Sequence, residues 1–200
     1  SSDLAGPLHG VRILDMATVL AAPFAASLCA DMGAEVVKLE LPDGSDPLRA
    51  LAPVKDGLAL YWKVTNRGKK GITLDLRKPR GQALFRGLAR HADIVVENHT
   101  PGVMAGWGLG YDDLAADRPD LIYVSVSGFG QFGPLAGRRG FDPVAQAMSG
   151  LMSVTGTPDG PPLRAGFALG DDLAGWIGAM GAMAALWHRA ATGEGQHVDA

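Results

Sequence analysis

Val11-Arg12-Ile13-Leu14-Asp15, an alanine-rich stretch over 23–32, Gly33 and Glu35-Val36-Val37-Lys38-Leu39 decide how this chain folds. Short runs of β-branched and aliphatic residues closed by polar or glycine breaks are the mark of buried parallel strands. The alanine-rich stretch between them favours helix, and Gly33 stops it. Strand, helix and strand in that order form a βαβ unit, whose crossover lays its two strands side by side in parallel. The pattern returns with the strand Ile72-Thr73-Leu74-Asp75-Leu76, a helix opened by Pro79 and running to about His91, and the strand Asp93-Ile94-Val95-Val96-Glu97.

Between these units, residues 41–70 are rich in Pro, Gly, Asp and Lys. They read as a long irregular excursion with one turn of helix at 58–62. Further on come short helices at 101–104 and 111–117, the strand Leu121-Ile122-Tyr123-Val124-Ser125-Val126, and a glycine-rich loop over 128–140. Helices follow at 142–154 and 172–191, and a last strand begins at His197. Alternating strands and helices predict an α/β fold, a Rossmann-like, mostly parallel sheet with helices on both faces. Ligands of such sheets bind at the carboxyl ends of the strands. The chain opens on Ser1 and stops inside a strand, which points to a processed product or one piece of a longer protein.

The 200 residues suffice for one domain burying about 70% of its unfolded surface. A net charge of -3 argues against a nucleic-acid partner, and the single Cys29 argues against a disulfide framework or a multi-cysteine metal site. The expected location is therefore the cytoplasm. Uncharged runs at 16–30 and 173–187 are shorter than the roughly 20 apolar residues of a membrane span, so no membrane partner is expected. The chain holds 28 glycines, about twice average usage, spread as tight loops suited to holding a ligand.

Gly128-Phe129-Gly130-Gln131-Phe132-Gly133 has the spacing of a dinucleotide-binding loop. Pro134 follows at once and no helix opens at the third glycine, so no NAD site is expected. The histidines lack metal-ligand spacing and no metal is expected. Asp171 and Asp172 stand at the mouth of the last long helix. One of them suits an N-cap, while a carboxylate beside Gly170 is also placed to act as a nucleophile.

Taken in order, Pro7-Leu8-His9-Gly10-Val11-Arg12-Ile13-Leu14-Asp15, Gly33 to Glu40, Asp93 to Asn98, Pro101-Gly102-Val103, Gly140-Phe141-Asp142, Gln146-Ala147 and Thr192-Gly193-Glu194-Gly195-Gln196 resemble the class III (CaiB/BaiF) coenzyme A transferases over nearly the whole chain. The resemblance implies that residues 1–200 are the Rossmann-like, CoA-binding large domain of an interlocked fold, with a second domain and a chain return missing. It implies Asp171 as covalent nucleophile, Asp172 as its neighbour, and coenzyme A, carried as acyl-CoA substrate, against Leu20, Ala21, Leu41, Leu74, Arg77, Asn98, His99, Thr100, Arg139 and Asp142. The partners implied are an acyl-CoA, a carboxylic acid and a second copy of the full-length chain. Leu41, Thr100 and Gly106 stand where relatives carry arginine or another polar residue, which leaves Arg139, Arg77 and Lys69 to meet the phosphates. Backbone N–H groups near Gly170 would stabilise the oxyanions. The racemase branch needs a histidine where this chain has Phe141, so transfer is the expected reaction; a 2-methylacyl-CoA racemase or dehydratase-like member is the alternative, and a non-catalytic CoA-binding fragment the reading from another class.

Overall fold

A computed structural model describes residues 5–44 and 46–200. Strand β1 (Arg12–Asp15) leads into α1 (Ala21–Asp31) and β2 (Glu35–Glu40). The excursion then forms a 3-10 turn (Pro47–Ala50), a two-stranded hairpin of β3 (Val54–Lys55) and β4 (Leu58–Ala59), and α2 (Leu60–Thr65). Next come β5 (Lys69–Thr73), α3 (Pro79–Ala89), β6 (Ile94–Glu97), α4 (Val103–Gly106), α5 (Tyr111–Ala115) and β7 (Ile122–Ser125). The chain ends with α6 (Asp142–Met148), a 3-10 turn (Leu151–Val154), α7 (Leu169–Thr192) and β8 (Gln196–Asp199).

Six strands form one sheet in the order β5-β2-β1-β6-β7-β8, and every pairing in it is parallel. Leaving out the small hairpin, that is the 3-2-1-4-5-6 order of a doubly wound sheet. The strand order reverses between β1 and β6, where a ligand crevice is expected.

Alternate residues of each strand serve opposite faces. Ile13, Val36, Ile94, Val96, Ile122 and Val124 bury one face against the alanines of α1 and Ala179, Ala182 and Ala185 of α7. Leu14, Leu39, Val95 and Tyr123 bury the other against Leu76, Phe85, Met104 and Leu114. Small residues let α1 and α7 approach closely. At Gly175 a Cβ would stand 2.6 Å from the Ala21 carbonyl oxygen, so only glycine fits the crossing. Among the described residues no helix is long and apolar enough to cross a membrane.

Three local expectations are corrected. The edge strand expected at 72–76 lies at Lys69–Thr73, because Lys69 turns inward to an ion pair with Asp15 and the Leu74 N–H makes the last bond to the Glu40 carbonyl. The helix expected over 142–154 breaks after Met148, since Gly150 adopts φ 81°. The last helix begins at Leu169, three residues before the expected 172, so Asp171 and Asp172 both lie inside its first turn and Ala168 occupies the cap position.

Candidate active site

A cleft of about 460 Å³ opens at the carboxyl ends of β1 and β6. Its wall includes Leu20 and Ala21 after β1, Asn98, His99 and Thr100 after β6, Arg138 and Arg139 of the glycine-rich loop, and Asp171 of α7. Seven of the sequence-predicted residues therefore share one space: Leu20, Ala21, Asn98, His99, Thr100, Arg139 and Asp171. Leu41 lines a smaller adjoining cavity of about 190 Å³, together with Leu76 and Trp107; Thr18 and His99 border both. Leu74 packs against the second core face instead. Arg77 lies on neither wall and is held by Asp43 at 2.6 Å and Asp75 at 2.7 Å.

The loop entering α1 is built with care. Thr18 donates its N–H to Asn98 Oδ1 at 2.8 Å, and Asn98 Nδ2 donates back to the Thr18 carbonyl at 2.7 Å. The Asn98 amide thus ties the two sides of the switch point together. Val19 holds a left-handed φ of 64°, a strained choice for a β-branched residue, and its N–H donates to Asp46 Oδ1 at 3.1 Å. Among the described residues no side chain caps α1 and no acid stands in its first turn; the nearest carboxylate bond is the one Asp46 makes to the Val19 N–H just ahead of it.

Beneath this loop lies a buried charge network. Lys69 Nζ donates to Asp15 Oδ2 at 2.7 Å, to the Pro23 carbonyl at 2.6 Å and to Asn66 Oδ1 at 3.2 Å. Lys38 donates to the Ala17 carbonyl, and its Nζ lies 3.7 Å from Asp15 and 3.8 Å from Asp46. Lys69 is therefore engaged inside the protein and is not a phosphate ligand, which corrects the expectation. Burial, the strongest influence, pulls its pKa down against the pull of Asp15. Among the described residues Arg138 and Arg139 make no ion pair and remain the cations on the cleft wall.

The Asp171 side chain receives no hydrogen bond from the described residues. Burial pushes its pKa up to about 6, and the charges of Asp142 and Asp172 add to the rise. Asp142 lies just behind the cleft wall, 5% exposed, rather than on it. Its Oδ1 accepts the Gly170 N–H at 2.8 Å. The Gly170 N–H is therefore engaged within the protein, which leaves any oxyanion role to its neighbours. Asp142 also receives both bonds from Gln146 Nε2 at 2.9 Å and an ion pair from Arg164 at 3.4 Å. His99, edge-on to Trp107 at 5.5 Å, is held below the usual histidine range by burial. Thr18, Arg138, Trp107 and Gln146 were not among the predicted site residues. The paired arginines and the Gln146-Ala147 motif were visible signals; the loop turn at Thr18 and Val19, which lacks glycine, offered none.

A doubly wound sheet thus carries, at its switch point, a cleft with two arginines on the rim and an under-solvated carboxylate on the wall, the place and kind of groups at which α/β folds hold ligands. The sequence matches the profile of CoA-transferase family III over residues 8–200, and the chain belongs to that family. It is 47% identical to succinyl-CoA:D-citramalate CoA-transferase of Chloroflexus aurantiacus over 194 residues, covering 96% of this chain and 48% of that protein. It is likewise 47% identical to succinate:glutarate CoA-transferase of Agrobacterium fabrum, with 96% and 50% covered. A crystal structure of a CaiB/BaiF family protein from Brucella suis superposes with a TM-score of 0.93 at 40% identity, covering 98% of this chain and 53% of that one. The chain spans about half the length of these relatives.

Proposed function

We propose that this protein moves coenzyme A between an acyl-CoA and a carboxylic acid, with Asp171 as the covalent carrier. The observation that carries this reading is the position of Asp171 on the same cleft wall as Leu20, Ala21, Asn98, His99, Thr100 and Arg139. An Asp171 oxygen attacks the thioester carbonyl; the C–S bond breaks, leaving a mixed anhydride and the CoA thiolate. The thiolate attacks the aspartyl carbonyl, the anhydride C–O bond breaks, and the donor acid departs as carboxylate. The acceptor carboxylate then attacks the aspartyl thioester, and the released thiolate attacks the acceptor's acyl carbon in the new anhydride, which frees Asp171. Each step exchanges one activated acyl bond for another, with no net proton and no redox change. A pKa of about 6 leaves Asp171 ionised at neutral pH yet more basic than an ordinary aspartate.

Residues 1–200 act in this reading as the CoA-binding domain. Arg138 and Arg139 meet phosphates, while Leu41, Leu76 and Trp107 offer an apolar seat beside them. The two relatives named above act on succinyl or succinate groups, which supports a dicarboxylic donor or acceptor here. The complete protein works as a homodimer, a reading supported by the exposed Leu173, Trp176, Ile177 and Met180 on α7.

The test is to incubate the complete gene product with a panel of acyl-CoAs, succinyl-CoA among them, quench with hydroxylamine and map peptides by mass. A hydroxamate at Asp171, absent from the Asp171→Ala variant, is the expected result. Transfer surviving in that variant, or thioesters left unconsumed, overturns the assignment.

A further inference from the structure

The segment that delivers Asp171, residues 164–170, hangs on two buried side chains of α6. Gln146 is 1% exposed. Its Oε1 accepts the Ala165 N–H at 2.8 Å, and its Nε2 donates to the Phe167 carbonyl at 3.2 Å. The same Nε2 donates to both Asp142 oxygens at 2.9 Å, and Asp142 in turn holds the Gly170 N–H at 2.8 Å. One amide therefore grips the incoming segment at two points and orients the carboxylate that grips it at a third. Space is tight as well: a Cβ at Gly170 would stand 3.1 Å from Ala145 Cβ and 3.3 Å from Asp142 Oδ1. Asp171 follows immediately.

An amide suits this place for a physical reason. Asp142 is buried beside Asp171 and Asp172, and its charge adds to the burial that raises the proton affinity of both. A lysine there would pair with Asp142 and lower the basicity that Asp171 needs, whereas a neutral donor satisfies Asp142 without adding charge. Arg164 reaches Asp142 only at 3.4 Å from a half-exposed position.

We infer that Gln146 is a positioning residue that fixes where Asp171 stands in the cleft, through Ala165, Phe167 and Asp142. The inference rests on the reading of Asp171 as the nucleophile. A displacement of about 1 Å at a reacting group costs on the order of 100-fold in rate, so the effect belongs in the chemical step and not in CoA binding.

The experiment uses the complete gene product and the acyl-CoA that gives the wild-type protein its hydroxamate. Gln146→Met keeps length and bulk but makes none of the four bonds. Gln146→Glu keeps the acceptor for Ala165 and loses the donor to Asp142 and Phe167. The rate of Asp171 adduct formation in a single turnover at saturating acyl-CoA is expected to fall roughly 100-fold in the Met variant and at least as far in the Glu variant, whose carboxylate would face Asp142, with the CoA dissociation constant and the far-UV circular dichroism unchanged. Adduct formation at the wild-type rate overturns the inference, as does a loss confined to CoA affinity. Unfolding of both variants also overturns it, because Gln146 would then hold α6 in place and not aim Asp171. A wild-type protein that forms no adduct sinks the nucleophile reading, and that outcome is seen before any variant is made.

Discussion

Two groups of aspartates flank the cleft, and they are wired in opposite ways. On the β1 side, Asp15 and Asp46 face Lys38 and Lys69, two cations for two anions. On the α7 side, Asp142, Asp171 and Asp172 gather with the half-exposed Arg164 3.4 Å from Asp142 as their ion-pair partner, and a neutral glutamine supplies donors to Asp142. Cation against anion, the first group forms a floor under the Val19 loop, whose N–H it holds through Asp46 Oδ1, while Asp46 Oδ2 has only the Lys38 ammonium 3.8 Å away. Incomplete pairing leaves the second group with a carboxylate whose pKa rises to about 6. A buried carboxylate given a cation becomes scaffold, and one denied a cation keeps its basicity for chemistry.

The largest test of this contrast is Lys38→Met, which leaves Asp46 and part of Asp15 uncompensated in the interior. Loss of one partner from a buried pair costs about 3–5 kcal/mol, so urea unfolding is expected to shift strongly or the protein to fail to accumulate. Adding Asp46→Asn retains an acceptor for the Val19 and Leu48 N–H groups while removing the orphan charge. Most of the stability should return in the double variant; a double variant as weak as the single one would show that Lys38 acts through the Ala17 carbonyl and not through charge.

On the opposite side the sign reverses. Asp171 holds its proton more tightly when folded than the ordinary aspartate value of 3.8 would allow, so its ionised form costs stability above about pH 6. That cost fades as pH falls from about 6 toward 4. Asp171→Asn should therefore stabilise the protein at pH 7 by about 1 kcal/mol, a figure reduced for the group's partial exposure to water. The gain should shrink as pH is lowered to 4.5 in thermal melts, and the aspartyl adduct should vanish. For the wild type, the adduct-forming rate should fall below about pH 6, where Asp171 takes up its proton. A flat profile from pH 5 to 8 would place the limiting step elsewhere.

The sheet was legible in the sequence because each central strand is a short apolar run closed by a polar or glycine break, as in Ile94-Val95-Val96-Glu97, all four of which are buried. Edge strand β5 was misplaced for a reason of the same kind. Its apolar residues Leu74 and Leu76 pack on the core after the strand has ended, while its true start is fixed by Lys69 turning inward to Asp15, a partner 54 residues away. The early start of α7 has a similar origin. Gly170 is held by Asp142, 28 residues earlier in the chain, and no local cap signal announces that. Asn98, His99 and Thr100 follow a recognisable strand and so fall at its carboxyl end, whereas Gln146 stands out only as part of a motif, because its four bonds reach residues 4 to 21 positions away.

The smallest expected effect separates burial from proximity. Arg49 donates to Glu40 through Nε at 2.8 Å and Nη2 at 2.6 Å, and its Cζ lies 3.8 Å over the Trp62 ring. These contacts are closer than any Lys38 makes to Asp46, yet the Arg49 side chain is 49% exposed. Water already solvates it in the unfolded and folded states alike, so its removal forfeits only a screened attraction and a shallow stacking contact. Arg49→Ala should cost no more than about 1 kcal/mol, and the difference from wild type should narrow in 1 M salt. Lys38→Met should keep its full effect in the same salt, because ions do not reach Asp46. Equal salt sensitivity in the two variants would mean that the β1 network is open to solvent, and the contrast between the two aspartate groups would then have to rest on geometry alone.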